Sequence, residues 1–86
     1  MDINDLIAIV KKKLNREISI EKIDIQDKSF LHKNHSSNEK GKFHLKLTIN
    51  SAELKKLSRV ERNKKVYKIL DQEIKEYIHS LQILIY

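Results

Sequence analysis

Eighty-six residues allow a single domain, and the absence of cysteine excludes both a disulfide framework and any thiolate ligand of the chain's own. Eighteen basic against twelve acidic residues leave a net charge of +6, mostly lysine, which suits an acidic protein surface or a phosphate backbone without choosing between them. No apolar run approaches the roughly 18 residues of a membrane span, and the acidic Asp2 with no signal-like apolar stretch behind it predicts a soluble, cytoplasmic protein.

Asp2 or Asn4 can cap a first helix, along which Ile3, Leu6, Ile7, Val10 and Leu14 recur at three- and four-residue spacing as one apolar stripe. Lys11, Lys12, Lys13 and Arg16 fall in its last turns, where cations complement the helix dipole, so this cluster has a structural reason before any nucleic-acid reason. From Ile18 the period changes. Ile18, Ile20, Ile23 and Ile25 alternate with polar residues, predicting a half-buried strand with a slip near Glu21 and Lys22.

Residues 26–42 form a polar connection, long for a hairpin, and long connections inside small domains tend to be functional. His32 and His35 lie within it and His44 just beyond. Phe43, Leu45, Leu47 and Ile49 then alternate strictly with His44, Lys46, Thr48 and Asn50, which predicts a strand with His44 on its polar face. Ser51 can cap a short helix running through Leu57. Ser58 and Glu61 fit a capping box that opens a longer helix, with Val60, Tyr67, Leu70, Ile74 and Ile78 as its buried stripe. Residues 80–86 read as a last strand, placing His79 at a helix-to-strand corner. The order helix–strand–strand–short helix–long helix–strand predicts an α+β domain over residues 1–86 with a three-stranded mixed sheet. The two helices leave room for a parallel crossover between the last two strands.

In this frame the chain resembles the BolA family over about residues 27–81. The residues that carry the likeness are Asp27, Ser29 and His32 at the start of the connection, and the histidine pair His32 and His35 within it. They continue with His44-Leu45-Lys46 opening a strand, Ser51 with Leu54 three residues on, Arg62 in the long helix, and Ile78-His79-Ser80-Leu81. Lys56 stands where the family often has glycine, and Asn63 where a histidine usually follows the arginine.

The resemblance implies a fold similar to a type II KH domain and a partnership with a monothiol glutaredoxin. The two proteins would share a glutathione-dependent 2Fe–2S cluster, in cluster maturation or in iron, redox or stress regulation. Carried over, His79 is one ligand and His32 the other, with His35 as the alternative from the same connection. His44 is a weaker candidate, an exposed face residue or a donor behind the ligands. The chemistry is consistent: imidazole replaces thiolate on one iron of Rieske-type centres, and a chain without cysteine can complete such a site only when a partner brings sulfur. No cofactor is expected in the isolated protein, which would be a monomer or a weak dimer.

The alternative reading is a DNA-binding transcriptional regulator of the same family, using Lys55, Lys56, Arg59, Arg62, Lys64, Lys65 and Lys68 as a basic surface. A KH-type grip needs a glycine-bounded loop that clamps the backbone, and the chain's one glycine, Gly41, stands elsewhere. Nucleic acid therefore ranks second. With no cysteine, no phosphate-cradling loop and no nucleophile–base pair in the sequence, catalysis is not expected.

Overall fold

The computed structural model of the protein describes residues 1–29 and 42–86. Helix α1 (Ile3–Glu17) starts at Asp2, whose carboxylate accepts from the Asn4 N–H, and buries Leu6, Val10 and Leu14. Ile18 ends it in extended geometry while its N–H still bonds the Leu14 carbonyl.

The chain does not pass straight from there into a strand, as the alternation from Ile18 suggested. Strand β1 (Lys22–Asp27) begins four residues later, and Ile18 is a core residue at the helix end, 3% exposed. The intervening residues are drawn toward the next helix instead. The Ser19 carbonyl accepts from the buried Ser51 hydroxyl at 2.7 Å, and the Ser19 N–H donates to Glu53 Oε1 at 3.1 Å.

Strand β2 (Phe43–Asn50) forms the middle of the sheet, antiparallel to β1 and parallel to β3 (Ile78–Ile85), so the order is β1-β2-β3. This is the mixed three-stranded sheet expected from the element order. Ile23, Ile25, Leu45, Leu47, Ile49, Leu81, Ile83 and Ile85 share the face that packs on the helices. Each leucine or isoleucine fully removed from water there contributes about 2 kcal/mol.

Between β2 and β3 run α2 (Ala52–Lys55), α3 (Arg59–Ile69) and α4 (Asp71–Glu76). Ser51 caps α2 by accepting from the Leu54 N–H, and Ser58 caps α3 by accepting from the Glu61 N–H. The long helix of the sequence reading is thus two helices, broken at Leu70 (φ −98°, ψ 16°), a fully buried residue.

The apolar stripe differs accordingly. Val60 and Tyr67, seven apart, do share a face of α3, but that face is open, with exposures of 63% and 42%. Val66 and Leu70 carry the core contact, and Ile78 is the first residue of β3 rather than the end of a helix. No helix of the described residues is long and apolar enough to cross a membrane.

Candidate functional site

The register between β2 and β3 contains one irregularity, and His79 stands in it. Phe43 pairs with Ile78 and His44 with Ser80, so β3 spends one residue more than β2 at this point. His79 is that extra residue. A bulge of this kind re-aims side chains locally. Here it returns Ile78 and Leu81 to the core side while His79 and Ser80 both lie toward His44.

The result is a compact trio at the start of the parallel pair. The imidazoles of His44 and His79 lie with centroids 4.9 Å apart and planes inclined by 51°. His44 Nδ1 is hydrogen-bonded to Ser80 Oγ at 2.6 Å, the donor depending on the imidazole tautomer. His44 is only 6% exposed whereas His79 is open to solvent. The expectation of an exposed His44 is therefore corrected. Strand alternation places it on the outer face, but the bulged segment of β3 packs over it.

The backbone beneath the pair is held at several points. The His44 N–H donates to Ser29 Oγ at 3.1 Å, the His44 carbonyl accepts from the Lys28 N–H at 2.7 Å, and the Phe43 N–H donates to the Tyr77 carbonyl at 2.9 Å. The Ser29 N–H in turn donates to Asp27 Oδ1 at 2.9 Å, a local turn that short polar side chains favour. The connection bearing His32 and His35 leaves the described residues at Ser29 and returns at Lys42, two residues before His44. His32 and His35 themselves lie outside the described residues.

Among the described residues no group of three or more His, Cys, Asp or Glu side chains could hold a metal ion. The two imidazoles are two nitrogen donors and no more. They suit part of a coordination sphere, with the remaining ligands supplied from elsewhere. In a metal-binding histidine one ring nitrogen commonly donates outward to a supporting group while the other ligates. With the proton on Nδ1, the contact of His44 with Ser80 has that form.

Ser29 and Ser80 entered the sequence reading only as residues that carry the family likeness, without a contact of their own. The contact of Ser29 with the His44 N–H could not be read from its surroundings, where it is one short polar residue among several. The bulge did leave a sign: Leu81, Ile83 and Ile85 alternate, but the apolar residue before them is Ile78, not residue 79.

The cations proposed as one basic surface are divided. Lys64, Lys65 and Lys68 face a groove of about 910 Å³ shared with Lys13 and Arg16 of α1, whereas Arg59 and Arg62 lie on the β3 side of α3. Lys65 pairs with Glu53 at 3.0 Å, and Lys55 Nζ reaches Asn50 Oδ1 at 3.4 Å. Arg62 donates from Nε to the Leu57 carbonyl at 2.9 Å and from Nη2 to the Lys55 carbonyl at 3.0 Å, bracing the turn between α2 and α3. Lys65 and the Ser19 N–H together hold the Glu53 carboxyl below its usual range, Lys65 being the larger cause.

Comparison with known proteins bears on the fold. A family model described as BolA-like protein matches residues 14–86. The chain belongs to the BolA family. It is 31% identical over 75 residues to the DNA-binding transcriptional regulator BolA of Haemophilus influenzae, covering 87% of this chain and 70% of that protein. It is 29% identical over 80 residues to SufE-like protein 1, chloroplastic/mitochondrial, of Arabidopsis thaliana, of which it spans 22%. The solved BolA domain of SufE1 from Arabidopsis thaliana superposes with a TM-score of 0.78 at 25% identity, over 99% of this chain and 92% of that one. BolA-domain architecture thus accounts for the whole described fold.

Proposed function

We propose that this BolA-family protein is a non-enzymatic iron–sulfur adaptor. It pairs with a monothiol glutaredoxin and completes a glutathione-dependent 2Fe–2S cluster held between them. The observation that carries the reading is the His79 bulge, which sets an exposed imidazole 4.9 Å from that of the buried His44. The donor chemistry supports it as well: the chain has no cysteine, so thiolates must come from the partner and from glutathione.

His79 is the accessible ligand. The second nitrogen comes from His32 or His35 in the connection, with His44 either replacing them or supporting His79 from behind. A cluster ligated by imidazole carries a higher reduction potential than an all-thiolate one, and each ligating nitrogen must be unprotonated. The residues of this chain therefore act by orienting His79, through the bulge, and by fixing His44, through Ser80 and Ser29.

The test is anaerobic reconstitution with a monothiol glutaredoxin, glutathione, iron and sulfide, followed by visible circular dichroism. A spectrum distinct from that of the glutaredoxin alone, lost in His79→Ala but retained in a surface control such as Lys64→Ala, is expected. Parallel His32→Ala, His35→Ala and His44→Ala variants then identify the second ligand. No spectral change on adding this protein overturns the adaptor reading.

A second reading is favoured by one specific observation, the 31% identity to a protein named as a DNA-binding transcriptional regulator. Lys55, Lys56, Arg59, Lys64, Lys65 and Lys68 would then neutralise phosphates, and affinity would fall steeply with salt. It ranks second because Arg62 spends its guanidinium on the α2–α3 turn and the cations of α3 itself are split between its two sides. Fluorescence anisotropy with duplex DNA across a salt series distinguishes it. A linear fall of log affinity with log salt, unaffected by His79→Ala, would favour DNA.

A further inference from the structure

The two edges of the sheet are built differently. Strand β1 carries Lys22, Asp24 and Asp27 among its six residues, the kind of charge that discourages another strand from adding. Strand β3 runs for eight residues, Ile78–Ile85, without a lysine, arginine, carboxylate, proline or glycine. Its outer edge offers real hydrogen-bonding groups. The Tyr86 N–H donates inward to the Ile49 carbonyl, while the Leu81 carbonyl points outward and accepts from the Tyr67 hydroxyl at 3.2 Å. Direction alternates along a strand, so Leu81, Ile83 and Ile85 present their N–H and C=O groups to the open edge. Among the described residues, those of Ile83 and Ile85 have no partner.

Beside this edge lies a crevice of about 340 Å³, lined by Arg59, Arg62, Asn63, Ile83, Leu84 and Ile85. The Arg59 side chain makes no hydrogen bond or ion pair among the described residues, and Leu84 is 42% exposed. One wall is thus cationic and the other apolar with an open backbone.

We propose that the outer edge of β3, with Arg59 and Arg62 beside it, docks an extended acidic segment of a protein partner, which adds as a fourth strand. Backbone hydrogen bonds to Ile83 and Ile85 give such a strand its affinity, and alternate side chains give it specificity. Apolar residues of the segment meet Leu84 and the isoleucines, and carboxylates meet the Arg59 guanidinium. A second copy of this chain fits less well, because it would bring Arg59 and Arg62 of both molecules together on a protein already at +6. Nucleic acid fits less well too, since phosphates cannot use the outward carbonyls of the edge. The inference is independent of the histidine pair.

The test is a nitrogen-15 NMR titration of the full chain with the capped heptapeptide Glu-Val-Glu-Val-Glu-Val-Glu, and with Lys-Val-Lys-Val-Lys-Val-Lys as control. Saturable shifts of the Leu81, Ile83 and Ile85 amides with the acidic peptide only are expected. Arg59→Glu weakens binding about tenfold, the worth of one charge-assisted hydrogen bond. Ile83→Pro abolishes it, because proline removes a donor that β2 does not use. Should the proline variant fail to fold, Arg59→Glu decides alone. Equal response to both peptides overturns the proposal, as do shifts confined to Lys64, Lys65 and Lys68. So does concentration-dependent broadening of the same amides without peptide, which would assign the edge to a second copy. Oligothymidylate moving these amides where the acidic peptide does not would assign it to nucleic acid.

Discussion

Lys13 Nζ holds Glu73 Oε2 at 2.7 Å, joining α1 to α4, while Glu73 Oε1, buried beside it, has no hydrogen-bond partner among the described residues. The carboxylate is 6% exposed, so its charge depends on this one ammonium. Lys13→Met is expected to destabilise the protein by about 3 kcal/mol in urea unfolding, because it leaves a buried charge uncompensated. Lys13→Met combined with Glu73→Leu should recover most of that loss, since replacing both partners by apolar groups is often close to neutral. A double variant as unstable as the single one would show that the pair orders α4 rather than merely neutralising it.

Ser80→Ala removes the oxygen that lies 2.6 Å from His44 Nδ1. Loss of one hydrogen bond to a buried ring costs about 1 kcal/mol, so the variant should unfold earlier in urea. Long-range nitrogen–proton NMR spectra of the His44 ring should also change their tautomer pattern. A ring spectrum unaltered in the variant would mean that Ser80 does not set the tautomer.

Arg62→Lys keeps the charge but loses the planar fork that reaches the Leu57 and Lys55 carbonyls together. A loss of about 1 kcal/mol is expected, against less than about 0.5 kcal/mol for the exposed Lys64→Gln. Thermal unfolding of the two variants side by side checks this. A nucleic-acid-binding defect in an Arg62 variant would have to be separated from weakened folding first.

Glu53 titrates below its usual range, held first by Lys65 and then by the Ser19 N–H. A carboxyl whose pKa is lower in the folded protein stabilises it fully above the ordinary glutamate value. That contribution is lost as the pH falls through the folded value. Glu53→Gln should therefore narrow its stability gap to wild type on acidification. Urea midpoints of both proteins across the acid range measure it, and a gap constant with pH would exclude this linkage.

How much of this was open to sequence reading varied with how local the cause is. The stripe of α1, the alternation of β2 and the caps at Ser51 and Ser58 depend on neighbours a few residues away, and all appear where expected. The break at Leu70 has no local author: leucine favours helices, and the turn there serves packing against the rest of the core. The late start of β1 has the same kind of origin, since Ser19 is drawn to Ser51 and Glu53, more than thirty residues away. At the site, alternation gave the face on which His44 stands but not the segment of β3 that covers it. The pairing of its ring with His79 depends on a register shift between distant strands.

That register shift makes residue 79 unequal to its side chain. Replacing the imidazole alters one exposed group, whereas deleting the residue would erase the bulge. Side chains alternate with a period of two, so without residue 79 the pairs Phe43–Ile78, His44–Ser80 and Leu45–Leu81 would follow one another in regular register. Ile78, Leu81, Ile83 and Ile85 would keep the face that packs on the helices, and Ser80 would stay opposite His44. The sheet does not need the extra residue; what that residue supplies is the exposed imidazole beside His44.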